Sequence, residues 1–128
     1  MARQCSGSII NISSIYGLVS PDQRIYAYKS EPFFKPATYG LTKSSVLNLT
    51  RYLATYWAPC KVRINAMTLG GVFNHQDPEF LRNYSRKVPM GRMAAHDEYN
   101  GALLFLASEA SSYMTGSNLV IDGGYTSW

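Results

Sequence analysis

Gly7-Ser8-Ile9-Ile10-Asn11-Ile12-Ser13-Ser14-Ile15-Tyr16-Gly17 is the stretch that decides how this chain folds. Ser8–Ile12 is apolar and β-branched, which fits a pleated strand, and the Ser, Tyr and Gly that follow bring turn chemistry at its carboxyl end. Two later runs have the same character, Val62–Met67 and Asn118–Ile121. Between the first two, Val46, Leu49, Leu53 and Trp57 recur at helical spacing, so a helix is expected over Thr38–Trp57, capped by Thr38 and stopped by Pro59. Asp77–Arg86 and His96–Ser108 read as two more helices. The latter is expected to bury Ala102, Leu103, Phe105, Leu106 and Ala107, with Asp97 and Glu98 near its positive end. Strand–helix–strand–helix–strand implies right-handed crossovers and a parallel sheet buried on both faces. The predicted fold is therefore α/β, with a doubly wound parallel sheet. Too little chain precedes Ser8 to supply a neighbour for the first strand's outer edge, so the sequence reads as part of a larger domain.

Composition excludes several classes. The chain has 128 residues, enough for one domain; 46% are hydrophobic and 16% charged, the balance of a protein with a core. Its longest apolar runs, such as Ala102–Ala107, are too short to cross a bilayer, and polar residues interrupt any leader-like start. No membrane role is expected. Cys5 and Cys60 have no Cys-x-x-Cys spacing and read as two reduced thiols of a cytoplasmic protein. His75 and His96 stand apart from other ligand types, so no metal is implied. The net charge of +4 invites a nucleic-acid reading, but the one local basic cluster, Arg82, Arg86, Lys87 and Arg92, lacks interleaved aromatics. A solvated helix face explains it, and no nucleic-acid partner is expected.

Chemistry concentrates at three places. Tyr39 and Lys43 are four apart on the long helix and share a face. A phenol titrates near ~10 and exchanges protons poorly at neutrality, whereas a neighbouring cation stabilises its phenolate. Taken alone, the pair is also compatible with an ordinary aromatic beside an exposed amine. Ser14 lies just past the first strand's carboxyl end, where open α/β sheets gather ligands. It reads either as a donor to a substrate oxygen or as a turn hydroxyl bonded to its own backbone. Leu69-Gly70-Gly71-Val72-Phe73-Asn74 follows the second strand, and its glycines suit either close approach to a ligand or a tight turn. Leu18–Ala37, with Pro21, Pro32, Pro36, Tyr26, Tyr28, Phe33 and Phe34, shows no period. It reads equally as a functional loop and as a flap over the core.

These residues resemble the short-chain dehydrogenase/reductase family along most of the chain. Gly7–Gly17 is similar to that family's fifth strand with its catalytic serine, and Tyr39-Gly40-Leu41-Thr42-Lys43 to its Tyr-x-x-x-Lys. Arg63-Ile64-Asn65-Ala66 and Gly70-Gly71-Val72 resemble its sixth strand and the loop against the nicotinamide. Pro89-Met90-Gly91-Arg92, Leu104–Ser108, Thr115-Gly116 and Asp122-Gly123-Gly124 follow its C-terminal pattern in order. The resemblance implies the C-terminal part of a Rossmann-like domain and hydride transfer between NAD or NADP and a secondary alcohol or ketone. Tyr39 would be the general acid and base. Lys43 would support it and bond the nicotinamide ribose, while Ser14 would orient the substrate oxygen. Gly70, Val72 and Asn74, together with Tyr39 and Lys43, would contact the cofactor. The long loop leans the substrate towards a polyol or sugar-derived alcohol.

The sequence departs from the family pattern at Leu69, where proline is usual, and at Asn74, where threonine is common. The interval from Ser14 to Tyr39 is also longer than the family's usual one. No Gly-x-x-x-Gly-x-Gly occurs, nor the asparagine of the family's earlier helix. The expectation is thus that residues 1–128 are the C-terminal portion of one domain, without its dinucleotide-binding half, and weakly active or inactive alone. In this family the Tyr-x-x-x-Lys helix and the last strand pack between subunits, which implies a homo-oligomer through helix 38–57 and the C-terminal strand. A competing reading keeps only that role: a non-catalytic interaction module.

Overall fold

A computed structural model describes residues 1–128. Strands β1 (Gly7–Ser14), β2 (Val62–Leu69) and β3 (Asn118–Ile121) form one parallel sheet in the order β1-β2-β3. Helices α1 (Ala37–Trp57), α2 (Pro78–Ser85) and α3 (Asn100–Ala107) connect them. The register aligns the carboxyl ends: Ser14 lies opposite Leu69, and Leu69 opposite Ile121. Side chains alternate across a strand, so one face of the sheet carries Ile9, Val62 and Ile64 against Ala54, Leu53 and Trp57 of α1. The other carries Ile10, Met67 and Leu119 against Leu106 of α3 and Tyr99. A third cluster lies beyond the strand ends, where Ile15, Tyr16, Ile25, Tyr26, Tyr84, Val88, Met93 and Tyr125 pack together.

Polar groups tie these layers. Thr50 is buried on α1; its hydroxyl donates to the Val46 carbonyl (2.8 Å) and accepts from the Asn11 amide of β1 (2.9 Å). Asn65, fully buried on β2, donates to the Met114 carbonyl and accepts from the Ser117 N–H, fixing the approach to β3. Both arrangements satisfy groups that would be expensive to bury alone.

Several expectations need correcting. Thr38 is not the cap of the long helix: α1 begins at Ala37, with the extended Pro36 before it and no side-chain cap, because the fixed proline φ sets the start of the helix. Its buried line is Leu47, Thr50 and Ala54, whereas Leu49 is exposed. That line wins because it faces β1 and β2, where Thr50 meets Asn11 and Ala54 packs with Val62 and Ile64. The last helix starts at Asn100, since Glu98 is held in the preceding turn by the Ala95 N–H (2.7 Å) and by Arg92 (2.7 Å). That pairing holds the Glu98 carboxyl down at about 2. Of the residues expected to be buried on α3, only Leu106 is fully so; Leu103, Phe105 and Ala107 are exposed because nothing packs on the helix's outer side. Burial on both faces holds along β2 but not along β3, where Val120 is exposed. The helix after Trp57 does end as expected, in a turn over Ala58–Cys60. No helix is long and apolar enough to cross a membrane.

Candidate active site

Beyond the aligned strand ends lies a cavity of about 310 Å³ whose walls include Ser14, Tyr16, Tyr26, Lys35, Tyr39, Gly70, Gly71 and Val72. β1 delivers Ser14 to it, the first turn of α1 delivers Tyr39, and the loop after β2 supplies the glycines. Ligands collect here in open α/β sheets because the loops leaving the strands diverge and leave a crevice.

Ser14 accepts a hydrogen bond from the Tyr16 N–H (3.3 Å) and so caps the turn Ile15–Gly17. The backbone reading of this serine is therefore satisfied, but only through a lone pair. Its O–H makes no hydrogen bond within the chain and remains able to donate into the cavity. Tyr39 is 38% exposed at the cavity mouth, its ring edge-on to Tyr16 with centroids 6.4 Å apart. The Lys43 ammonium lies 6.0 Å from the Tyr39 ring centroid and donates to the Ile12 carbonyl of β1 (3.0 Å). Lys43 lines a neighbouring groove with Tyr39, outside the cavity that holds Ser14. Its ammonium has three N–H donors and this bond uses one.

Close approach of α1 to β1 places these groups. The Ser13 hydroxyl donates to the Lys43 backbone carbonyl (2.8 Å), and a Cβ on Gly17 would stand 2.7 Å from that same oxygen. Glycine at 17 is what lets the helix carrying Tyr39 and Lys43 sit against the turn carrying Ser14.

The loop after β2 is held from three sides. Gly70 donates its N–H to the Ile121 carbonyl (2.9 Å) and accepts from the Tyr99 hydroxyl (3.2 Å), so its backbone is largely committed. Gly71 donates to the buried Tyr84 hydroxyl (2.6 Å). The Val72 carbonyl accepts from Gln76 (2.7 Å), while its N–H makes no hydrogen bond within the chain. Asn74 is exposed and is not among the cavity walls; its N–H donates to Gln76 (2.8 Å). The structure thus brings Ser14, Tyr39, Gly70 and Val72 to one cavity, with Lys43 adjacent and Asn74 apart.

Four residues of this site escaped the sequence reading. Tyr84, on a helix read as a solvated face, is buried and anchors Gly71, and burial raises the pKa of its phenol. Gln76 fastens the Val72 turn. Tyr16 is buried with a hydroxyl that has no hydrogen-bond partner; burial first, then the Tyr125 and Tyr26 phenols, oppose its ionisation. Lys35 places its ammonium 5.1 Å from the Tyr39 ring centroid, nearer than Lys43. Only the unusual length of the Leu18–Ala37 loop hinted at such a contribution. The loop divides its roles: Ile25 and Tyr26 join the core, and Tyr26 and Lys35 line the cavity. His, Cys, Asp and Glu side chains form no group of three able to hold a metal ion.

Comparison with known proteins agrees with this architecture. The family model described as "Enoyl-(Acyl carrier protein) reductase" matches residues 1–126. D-arabinitol 2-dehydrogenase [ribulose-forming] of Candida albicans is 37% identical over 131 residues, covering 96% of this chain and 43% of that protein. A crystal structure of a short-chain dehydrogenase from Leptospira borgpetersenii with bound NAD+ is 42% identical with a TM-score of 0.86, covering 94% of this chain and 44% of that one. A gluconate 5-dehydrogenase from Burkholderia cenocepacia, in complex with NADP and tartrate, is 30% identical with a TM-score of 0.81, covering 99% and 48%. The chain therefore spans somewhat less than half the length of these relatives. Ordered motifs, three parallel strands with aligned carboxyl ends, and these matches agree: the chain has a Rossmann-like α/β fold and belongs to the short-chain dehydrogenase/reductase family.

Proposed function

We propose that the protein is an NAD- or NADP-dependent oxidoreductase that interconverts a secondary alcohol and its ketone, with Ser14, Tyr39 and Lys43 as its catalytic residues. The observation that carries this reading is that Ser14 and Tyr39, from separate elements, line one cavity at the carboxyl ends of the strands. In reduction, the Tyr39 hydroxyl gives its proton to the carbonyl oxygen of the substrate; in oxidation, the same oxygen takes the alcohol proton. Ser14 donates its uncommitted O–H to that oxygen and holds it facing Tyr39. Lys43 stands beside Tyr39 on α1, its ammonium 6.0 Å from the ring centroid, and would position the ribose end of the cofactor next to the phenol. When bound, the nicotinamide supplies or accepts the hydride; the protein supplies geometry.

The residues present fit one end of such a cofactor. Val72 offers a free backbone N–H in the cavity wall, and Lys43 two unused donors near Tyr39. Gly70 has less to offer because its N–H is taken by β3, and Asn74 would have to act from outside the cavity. No glycine-rich turn that would bind a pyrophosphate occurs in these residues. The proposal therefore treats residues 1–128 as the C-terminal portion of one domain and assigns dinucleotide binding to sequence outside them. The coverage of the relatives supports that division. The arabinitol and gluconate relatives support a polyol or sugar-derived substrate. Assembly into a homo-oligomer through α1 and the C-terminal strand is part of the same proposal.

Replacing Tyr39 by Phe removes the proton carrier and keeps the ring. In the full-length protein, turnover of a secondary alcohol, followed by nicotinamide absorbance, should fall by at least about a hundredfold, the scale of general acid–base catalysis. Far-UV circular dichroism should stay the same. Undiminished turnover in Tyr39→Phe would eliminate this mechanism.

A further inference from the structure

The cavity carries a single formal charge. Its walls are aromatic, aliphatic, amide or hydroxyl, except for Lys35, and no carboxylate lies among them. The chain's ion pairs are Arg24 and Lys87 with Asp22, Arg82 with Glu79, and Arg92 with Glu98; Lys35 enters none of them. Its ammonium makes no hydrogen bond and rests between the Tyr39 and Tyr26 rings, 5.1 and 5.9 Å from their centroids.

The backbone beneath this side chain is held firmly. The Gln23 side-chain amide grips Lys35 at both polar groups, accepting from its N–H (2.9 Å) and donating to its carbonyl (3.1 Å). Pro36 follows, which confines residue 35 to extended backbone. Lys35 also stands at the positive end of α1, a second source of positive potential beside the cavity. This partly exposed cation on a clamped backbone faces the cavity beside two aromatic rings with no carboxylate among the cavity walls.

We infer that Lys35 binds an oxyanion of the substrate, a carboxylate or phosphate monoester, so that the favoured substrates are acidic polyhydroxy compounds rather than neutral alditols. This deepens the reading given above and rests on it. Lys35 lies in the segment that lengthens the interval between Ser14 and Tyr39, so this preference is set by the loop while Ser14 and Tyr39 act on the alcohol.

The test compares C4–C6 aldonates with the corresponding alditols and with terminal alditol phosphates, using the full-length protein that includes the dinucleotide-binding half, as wild type, Lys35→Met, Lys35→Arg and Tyr39→Phe. The wild type should favour the acidic compounds over the alditols by about tenfold or more in kcat/KM, the scale of a hydrogen bond to a charged group. Lys35→Met keeps the aliphatic stem and should erase that advantage through KM, lowering kcat/KM for the acidic compounds by about tenfold more than for the alditols. Lys35→Arg should restore most of it. Whichever of aldonate and phosphate gains more identifies the oxyanion. Equal losses on acidic and neutral compounds, or no preference in the wild type, would overturn the inference. Calorimetric titration of aldonate into wild type and Lys35→Met separates the two ideas. Aldonate binding that depends on Lys35, with turnover indifferent to Tyr39→Phe, would retain the anion site and remove the catalytic assignment. Turnover that depends on Tyr39, with aldonate affinity indifferent to Lys35→Met, would do the reverse.

Discussion

Tyr16 and Ser14 are neighbours in sequence whose hydroxyls meet opposite circumstances. Ser14 spends one lone pair on the Tyr16 N–H and keeps its proton for the cavity, so the structural and catalytic readings of that serine are compatible. The Tyr16 hydroxyl is buried without a partner, a destabilising feature on the order of 1–3 kcal/mol. Tyr16→Phe keeps the edge-on contacts with Tyr39 and Tyr125, both at 6.4 Å, and removes only the orphan group. It is expected to stabilise the protein by about 1 kcal/mol, read as a raised midpoint in thermal or urea unfolding. A lower midpoint would mean the hydroxyl has a structural partner. At this scale Ser14, Tyr39 and Lys43 could be nominated from the sequence because their order and spacing resemble a family pattern. Lys35, Tyr84 and Tyr16 could not. A lysine ahead of a proline or a tyrosine on a polar helix is ordinary until folding sets it against a cavity wall.

Helix α1 shows what an element's pattern conceals. The sequence offered an apolar line at Val46, Leu49, Leu53 and Trp57, yet the deepest line is Leu47, Thr50 and Ala54. Both follow helical spacing, and distance from the sheet decides between them. Gly17, with Thr50 and Ala54 on the buried line, lets α1 approach until the Ser13 hydroxyl reaches the Lys43 carbonyl. Gly17→Ala tests that approach: its Cβ would sit 2.7 Å from the Lys43 carbonyl oxygen and 2.8 Å from the Ser13 hydroxyl. Because backbone of α1 must yield, a loss of about 1–3 kcal/mol is expected in denaturant unfolding. Turnover should fall as well, since Tyr39 and Lys43 move with the helix. An Ala variant as stable and as active as wild type would show that the helix is not held by this contact.

Across the molecule, burial is uneven. Only 22 of 128 residues are buried, fourteen of them in three separate apolar clusters, while large apolar side chains lie bare on two helices and an edge strand. On α1, Leu41, Tyr52 and Tyr56 are exposed, the two tyrosines stacked 6.1 Å apart. On α3, Leu103, Leu104 and Phe105 are exposed, as is Ile12 on the outer strand β1. The β1 edge is where the rest of the same domain would pair, whereas the exposed apolar face of α1 is of the kind that ordinarily meets a partner. The expected result in analytical ultracentrifugation is therefore a mass of at least two chains, reduced towards one by Tyr52→Asp with Tyr56→Asp without loss of helical signal. A wild-type chain that sediments alone would remove the assembly part of the proposal. The sequence by itself determined the element order and the parallel α/β class, because β-branched runs and helical spacing are local properties; it nominated Ser14, Tyr39 and Lys43 by their resemblance to a family pattern. Only the tertiary structure decided which side of each helix is covered, that Asn74 stands outside the cavity, and that Lys35 stands within it unpaired. Those outcomes depend on how closely α1 packs and where the long loop lands, and both are set by contacts between residues far apart in the chain.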